Sequence, residues 1–279
     1  MRADRVEQTS VGQERGSDWL DRLADWISGN RFMPVPPPQR NFVGDGDYLS
    51  IGCEFLRHFA RLGGARPDHR VLEIGCGIGR MAVPLTQYLD PETGSYHGVD
   101  VVRDGIVWCD NEISSRYPAF RFHHLDYANA LYNPDGHIRV SDERLPFAPG
   151  SFDFIIMTSV VTHLESADVA AYMHEAARLM KPNGRLFMTA FLLDAESRAG
   201  IAAGRARPSF PLDAPGPQVP ADPDQPLAAV AYDDEAFLGL AGDAGLALVL
   251  PTLRGHWAGG ASDHYQDICL LSPASGRSA

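Results

Sequence analysis

The feature that most constrains the fold is a change of hydrophobic period that begins at Arg70. From there, short runs rich in β-branched and aromatic residues alternate with segments whose apolar residues recur at helical spacing. The strand-like runs are VLEIG (71–75), SYHGVDVV (95–102), FRFHHLD (120–126), SFDFIIMTS (151–159) and RLFMTAFLL (185–193), followed by two near 246–253 and 265–271. Strands separated by helices run parallel and connect through right-handed crossovers. The pattern predicts an α/β fold with a mostly parallel sheet and helices on both faces.

The sequence divides into a tail, an extension and one main domain. Residues 1–16 are polar and without period, which predicts a disordered tail. Residues 17–65 predict an N-terminal helical cap and strap, and residues 66–273 the main domain. Within that domain, residues 200–231 contain many prolines and alanines and no period. A loop of this length inside a compact domain predicts either a lid or a disordered insertion.

The extension contains two amphipathic helices joined by a proline-rich strap. The first helix is predicted to begin at Ser17 and to place Trp19 and Trp26 on a stripe that faces the core. The strap, MPVPPPQR, has too much proline for a helix or a sheet interior. The second helix is predicted over 49–62, where it stops at a pair of glycines.

Length and charge exclude several classes of protein. At 279 residues and 44% apolar composition, the chain can form one domain with a large core. Its formal net charge of −12, from 36 acids against 24 Lys and Arg, would repel a phosphate backbone and argues against nucleic acid as a partner. The N-terminus carries charges where a signal peptide needs an apolar core, and no apolar run has membrane-spanning length. We expect a soluble, cytoplasmic protein that binds no membrane.

The cysteines and histidines do not suggest a metal site. The four cysteines form no CxxC pair, which predicts free thiols; they are Cys53, Cys76, Cys109 and Cys269. His256, Asp263 and His264 lie near the last strands, but no second histidine or acid falls at helical i, i+4 spacing with them. The sequence predicts no bound metal.

The stretch VLEIGCGIGRM places three glycines at alternate positions directly after the first predicted strand. In an open parallel sheet, a glycine-rich turn at this place lets a ligand approach the backbone closely, which explains Gly75, Gly77 and Gly79. The dinucleotide fingerprint would require a glycine at position 80, where this chain has Arg80. A carboxylate at Glu73 would repel a pyrophosphate but could bind an ammonium group. The ligand expected is a nucleoside that carries a positive charge and an amino acid end.

With Glu73 and these glycines, the chain resembles the class I S-adenosylmethionine-dependent methyltransferases, whose first motif has the form E/D-x-G-x-G-x-G. FDFIIMTSVVTHL and LMKPNGRLFMTAFLL are similar to the family's fourth-strand and fifth-strand motifs. The resemblance covers roughly residues 66–193 and, more weakly, the chain to about 272. It implies a Rossmann-like sheet of seven strands, of which the last is antiparallel and lies beside the fifth. It also implies S-adenosyl-L-methionine as the cofactor.

The resemblance assigns roles to residues at the ends of the strands. Asp100 matches the acid that bonds both ribose hydroxyls, and Asp126, with Tyr127 behind it, matches the acid near the adenine amino group. About 25 residues separate Asp126 from the fourth strand, a longer connection than in many members. The cofactor-binding residues implied are Glu73, Gly75, Cys76, Gly77, Gly79, Asp100, Val101, Asp126, Tyr127 and Ser159.

The end of the fourth strand supplies the candidate for catalysis. His163 lies just beyond it, at the mouth of the expected site, and a neutral imidazole near pH 7 suits a general base. The alternative is that His163 only packs at a helix start. Ser159 has a similar alternative, since it could satisfy backbone groups at the strand end and not touch the cofactor.

The function expected is methyl transfer to a small-molecule acceptor, with O-methylation of a natural product or sugar as the specific form. Holding the two reacting atoms in line supplies much of such catalysis, so few catalytic side chains are required. Two alternatives remain, an NAD-dependent Rossmann oxidoreductase and a catalytically silent methyltransferase-like binding domain. A homodimer is left open.

Overall fold

The computed structural model describes residues 19–44, 46–214 and 216–274, so the predicted tail over 1–16 lies outside them. The strands are β1 (Arg70–Ile74), β2 (Ser95–Asp100), β3 (Phe120–His124), β4 (Phe152–Met157), β5 (Met180–Leu193), β6 (Gln218–Pro220), β7 (Val230–Asp233), β8 (Leu246–Leu248) and β9 (Asp267–Pro273). The helices are α1 (19–29), α2 (Tyr48–Arg61), α3 (Ala82–Tyr88), α4 (Arg103–Cys109), α5 (Ser166–Leu179), α6 (Ala195–Ala202) and α7 (Asp234–Asp243).

The strands form one mixed sheet, and β1 lies in the middle of its five parallel strands β1 to β5. β1 pairs in parallel with β2 on one side and with β4 on the other, and β3 and β5 extend the parallel part outward. β9 runs antiparallel to β5 and carries β8 at its outer edge. The predicted Rossmann-like fold, with its last strand antiparallel beside the fifth, is confirmed. The insertion adds β6 and β7, which pair with each other and with the end of β5.

Alternating side chains of the central strands build a core on each face of the sheet. On β4, Phe154 and Ile156 point toward α2, α3 and α4, whereas Ile155 and Met157 point toward α5 and α7. This is the expected consequence of the two-residue period of a strand buried on both faces. Both cores leave the carboxyl ends of the parallel strands open, which is where loops can form a site.

Helix α1 joins the core through a different stripe from the one predicted. Its buried residues are Leu20, Ala24 and Ile27, at spacings of four and three. Trp19 and Trp26 are 48% and 55% exposed, so the expectation that they face the core is wrong. The alanine at position 24 explains the error, since a small residue marks the closest approach of the helix but adds little to a hydrophobic pattern.

The insertion over 200–231 is packed against the rest of the domain. Phe210 is buried, and its ring centroid lies 5.6 Å from the rings of Phe191 on β5 and of Trp257 near the C-terminus. The strand pair β6 and β7 continues the sheet at the same place. These contacts tie the insertion to two separate parts of the chain; whether it acts as a lid stays a prediction.

Three further observations concern the thiols, the membrane and metal ligands. All four cysteines are buried and unpaired. No helix in the described part of the chain is both long enough and apolar enough to cross a bilayer. Within the same ranges, no three His, Cys, Asp or Glu side chains come together as metal ligands would.

We predict that Phe210→Ala lowers the free energy of unfolding by about 3–5 kcal/mol, the usual loss for a large aromatic side chain removed from a core. Leu212→Ala is the matched control, because Leu212 lies in the same segment but is 40% exposed; its effect should stay within about 0.5 kcal/mol. Urea unfolding of the two variants measures the difference. Equal, small losses would show that the insertion contributes nothing to stability.

Candidate functional site

A cavity of about 730 Å³ opens at the carboxyl ends of β1, β2, β4 and β5. Its other walls come from α2 and the segment before it, from the insertion and from the residues just before β9. Nine of the residues predicted for the site line this cavity; they are Glu73, Gly75, Cys76, Gly77, Asp100, Val101, Tyr127, Ser159 and His163. Parallel strands end at one edge of a sheet, which is why residues so far apart in sequence meet there.

The turn after β1 has a backbone that only glycine adopts without strain. Gly75 and Gly77 have φ values of +78° and +55°. A Cβ atom added at Gly75 would lie 2.3 Å from Cγ2 of Val160, and one added at Gly77 would lie 2.5 Å from Cγ1 of Val43. The turn is therefore enclosed on two sides and presents bare backbone to the cavity. The third glycine, Gly79, faces α4 behind the turn and does not line the cavity.

Asp100, at the end of β2, connects the glycine turn after β1 with the turn that follows β2. Its carboxylate accepts hydrogen bonds from the N–H groups of Gly77, at 2.6 Å, and Val102, at 2.7 Å. Burial raises the pKa of Asp100, and the bonds from Val102 and Gly77 oppose that shift. A carboxylate has about four lone-pair positions, so it can accept further hydrogen bonds from the cavity side. Val101 lines the cavity beside it.

Glu73 is a buried carboxyl group on β1, and the hydroxyl of Tyr96 donates a hydrogen bond to it. Burial raises the pKa of Glu73 to about 8, and the bond from Tyr96 opposes the shift. At neutral pH the neutral acid therefore predominates in the free protein. An approaching cation would favour the ionised form, so this group can respond to a charged ligand.

Arg80 is a site residue that the sequence analysis treated only as a missing glycine. Its side chain is buried and lines the cavity. Nη2 donates to the carbonyl oxygen of Gly44 at 3.3 Å, and no ion pair with an acid of the described residues accompanies it. Burial lowers the pKa of Arg80, but a guanidinium keeps its charge at neutral pH. The sequence signal that could have identified Arg80 is a basic residue directly after a glycine-rich turn.

Of the two residues predicted after β3, the structure brings only one to the cavity. Tyr127 is buried, lines the cavity and donates from its hydroxyl to the carbonyl oxygen of Glu143 at 3.0 Å. Asp126 is exposed, and its carboxylate lies 3.4 Å from Nδ1 of His137. The backbone of Tyr127 pairs with Ile138 in the long connection before β4. Successive residues of an extended segment point to opposite sides, which turns Asp126 outward.

Ser159 holds an unusual backbone conformation at the end of β4. Its φ of +57° is in the left-handed region, which costs a serine about 1 kcal/mol. Its N–H donates to Oγ1 of Thr189 at 2.8 Å, and its Oγ donates to Oε1 of Gln266 at 3.1 Å. The sequence left two roles open for Ser159, contact with the cofactor or hydrogen bonding at the end of the strand. Its position is compatible with both, because it makes hydrogen bonds at the end of β4 and also lines the cavity.

His163 lies in a short 3₁₀ turn, Val161–His163, with its ring at the cavity wall. The ring nitrogen Nδ1 is 2.9 Å from the carbonyl oxygen of Leu227, which can only accept, so Nδ1 carries the proton. The other nitrogen, Nε2, then holds a lone pair in the neutral ring. Burial lowers the pKa of His163 below its usual range, which favours that neutral form.

The remaining wall of the cavity combines aromatic rings with polar side chains. Phe42, Phe55, Phe191 and Tyr265 contribute rings from three separate parts of the chain. Among the described lining residues, Arg80 is the single Lys or Arg. This part of the cavity suits an uncharged, planar compound better than an anionic one.

The family model described as a methyltransferase domain matches residues 42–236. Demethylmenaquinone methyltransferase of Beutenbergia cavernae is 31% identical over 155 residues, which are 54% of this chain and 54% of that protein. Nocamycin O-methyltransferase of Saccharothrix syringae is 28% identical over 149 residues, 52% of this chain and 47% of that protein. The chain thus spans about half the length of these relatives.

A solved structure of similar fold is the Burkholderia thailandensis 1,6-didemethyltoxoflavin-N1-methyltransferase, which contains its substrate and S-adenosylhomocysteine. The two chains align with a TM-score of 0.53 at 16% identity, over 94% of this chain and 90% of that one. At this identity the likeness concerns the fold alone.

We predict that Gly77→Ala destabilises the protein more than Gly150→Ala does. Gly150 has a similar φ of +63°, but an added Cβ there meets no atom of the described residues within 4 Å. Gly150→Ala should cost about 1 kcal/mol from backbone strain alone, and Gly77→Ala a further 1–3 kcal/mol, roughly, from the clash with Val43. Urea unfolding measures both. Adding Val43→Ala to Gly77→Ala should recover part of the loss; no recovery would locate the strain elsewhere.

Proposed function

Because the chain belongs to the class I S-adenosylmethionine-dependent methyltransferases, whose domain matches residues 42–236, we propose that it transfers a methyl group from that cofactor to a small molecule. The observation that supports this proposal most is the placement of three buried ionisable groups around one cavity beside the glycine turn. They belong to Glu73, Arg80 and Asp100. Two acids and a guanidinium complement a cofactor that has an ammonium group, a carboxylate and ribose hydroxyls.

Each of these groups has a role in holding the cofactor. The carboxylate of Asp100, fixed by two backbone N–H groups, would accept hydrogen bonds from the ribose hydroxyls. Glu73 would bind the ammonium group and ionise as it does so, and Arg80 would bind the carboxylate with its free donors. Tyr127 and Val101 would flank the adenine. The bare backbone at Gly77 fits this use, since it lets the cofactor approach the turn closely.

The bound cofactor supplies an electrophilic methyl group on a sulfonium. The protein's own part is to place the acceptor oxygen in line with that methyl group, to exclude water with its aromatic wall, and to take up a proton. His163 is suited to the last task, because Nδ1 is occupied by Leu227 and Nε2 is left as the acceptor. As the acceptor oxygen is methylated, its hydroxyl proton would pass to Nε2.

The finer form of the proposal is O-methylation of a natural product. A relative named for O-methylation of nocamycin supports it, as does the proton acceptor at His163. The aromatic rings in the cavity wall suit a planar natural product.

Calorimetry with S-adenosylmethionine, S-adenosylhomocysteine and NAD tests the proposal. Binding of the first two, without NAD, is expected. Binding of NAD alone would favour an oxidoreductase, and binding of the sulfur compounds with no turnover on any acceptor would favour a silent binding domain.

We predict that Arg80→Gln weakens binding of S-adenosylhomocysteine by about 1.5–3 kcal/mol, the usual range for a hydrogen bond to a charged group. Binding of methylthioadenosine, which has the same nucleoside without the amino acid end, should change little. Calorimetry measures both affinities. Arg121→Gln is the control, because Arg121 is an exposed residue of β3. Equal losses for the two ligands would mean that Arg80 supports the turn and does not bind the carboxylate.

For His163 we predict that replacement by Gln lowers kcat by about 10² to 10⁴-fold, since an amide cannot take the proton. Affinity for S-adenosylhomocysteine should be retained. A base works only when neutral, so the rate of the native protein should fall as pH falls through the pKa of His163. Burial places that acidic limb below the usual range of histidine. If the limb persists in His163→Gln, another group accepts the proton.

A further inference from the structure

A polar cluster of Ser159, Thr189 and Gln266 lies where β4 and β5 end and lines the cavity. Thr189 is at its centre. Its Oγ1 accepts a hydrogen bond from the N–H of Ser159 at 2.8 Å and donates one to Oε1 of Gln266 at 2.6 Å. Oγ of Ser159 donates to the same Oε1 at 3.1 Å. The amide oxygen of Gln266 thus accepts two hydrogen bonds.

These bonds fix which way the amide of Gln266 points. Thr189 is only 1% exposed, so its hydroxyl proton needs an acceptor within the protein. Oγ1 of Thr189 accepts the N–H of Ser159 and donates its hydroxyl proton in a hydrogen bond to Oε1 of Gln266. The amide oxygen therefore faces the cluster, and Nε2 with its two N–H donors faces away from it.

Nε2 of Gln266 has no hydrogen-bond partner among residues 19–44, 46–214 and 216–274, and the residue lines the cavity. Its position is held by the next residue. Asp267 is buried and accepts hydrogen bonds from the N–H groups of Leu192 and Gly255 and from Nε1 of Trp257, at 2.8, 2.8 and 2.9 Å. The cavity wall therefore offers a pre-oriented pair of N–H donors that a ligand can bind.

On the basis of the proposed function, we propose that Gln266 binds an oxygen atom of the acceptor that neighbours the oxygen to be methylated. The reacting oxygen needs a free lone pair directed at the methyl carbon, and a donor bound to it would reduce its nucleophilicity. A donor pair is useful on a second, non-reacting oxygen, where it positions the acceptor in line with the methyl group.

The surrounding wall defines the class of acceptor. The aromatic rings of Phe55, Phe191 and Tyr265 suit a planar ring, and the single basic side chain of the lining, Arg80, is assigned to the cofactor. A carboxylate or phosphate on the acceptor would have no other Lys or Arg of the described lining to pair with. The acceptor class is an uncharged aromatic compound with a carbonyl oxygen beside a phenolic hydroxyl.

Two probes that differ in one oxygen atom test the inference. They are ortho-hydroxyacetophenone and ortho-ethylphenol, which share a phenolic hydroxyl and a carbon skeleton. Their affinities are measured by NMR titration of the full chain saturated with S-adenosylhomocysteine. We expect the first probe to bind about three- to tenfold more tightly, as one neutral hydrogen bond would give. It alone should shift the side-chain amide resonance of Gln266.

Gln266→Glu separates recognition from structure. The new carboxylate can still accept from Thr189 and Ser159, but it offers no donor to the cavity, so the preference for the carbonyl probe should disappear. Gln225→Glu is the control, because Gln225 is exposed in the insertion and the change of charge is the same; it should keep the preference. The affinity for S-adenosylhomocysteine should be unchanged in both variants.

Three results would overturn the inference: equal affinity of the two probes for the native protein, a preference that survives in Gln266→Glu, or failure of both probes to bind the saturated protein. Absence of S-adenosylhomocysteine binding by the native protein would overturn the proposed function instead, so the two failures are distinct.

Discussion

The carboxylate of Asp100 accepts two backbone N–H groups, one from the glycine turn after β1 and one from the turn after β2. These bonds couple the ends of two adjacent parallel strands and fix the edge of the cavity where the turn exposes its backbone. The arrangement needs Gly77, whose left-handed φ aims its N–H at the carboxylate and whose missing side chain leaves room for Val43. The cofactor end of the site therefore depends on one acid and one glycine acting together.

Charges buried around the same cavity prepare the site for a charged ligand at the expense of stability. The raised pKa of Glu73, about 8, means that the folded protein holds a proton that the unfolded chain releases near pH 4.5. The stability gained from the neutral acid is complete below that pH and is lost as pH rises toward 8. In the proposed function, a bound ammonium group would offset this loss by pairing with the ionised carboxylate. Ligand binding would then stabilise the folded protein.

The sequence predicted the parts of the molecule that local pattern determines. The strand period located β1 to β5. The glycine turn indicated Glu73 and the family resemblance indicated Asp100, and both acids line the cavity. Tertiary contacts determined the rest. The pairing of Tyr127 with Ile138 sends Asp126 to the surface, and no local pattern encodes that pairing. Arg80 and Gln266 were missed because no local pattern marks them. Arg80 stands out because its side chain is buried at the cavity, and Gln266 because of hydrogen bonds to residues as far as 107 positions away in the sequence.

The acceptor end of the cavity is assembled from segments that the cofactor motifs do not include. Helix α2 precedes β1, Leu227 belongs to the insertion, and Gln266 comes just before the last strand. Leu227 contacts His163 in the turn after β4, and Gln266 is held by Thr189 on β5 and by the anchor at Asp267. In the proposed function the strand ends hold the cofactor and these additions hold the acceptor, so substitutions in the additions would change the acceptor without disturbing the bonds of Asp100. Specificity in this protein is therefore expected to reside in the additions, and chemistry in the sheet.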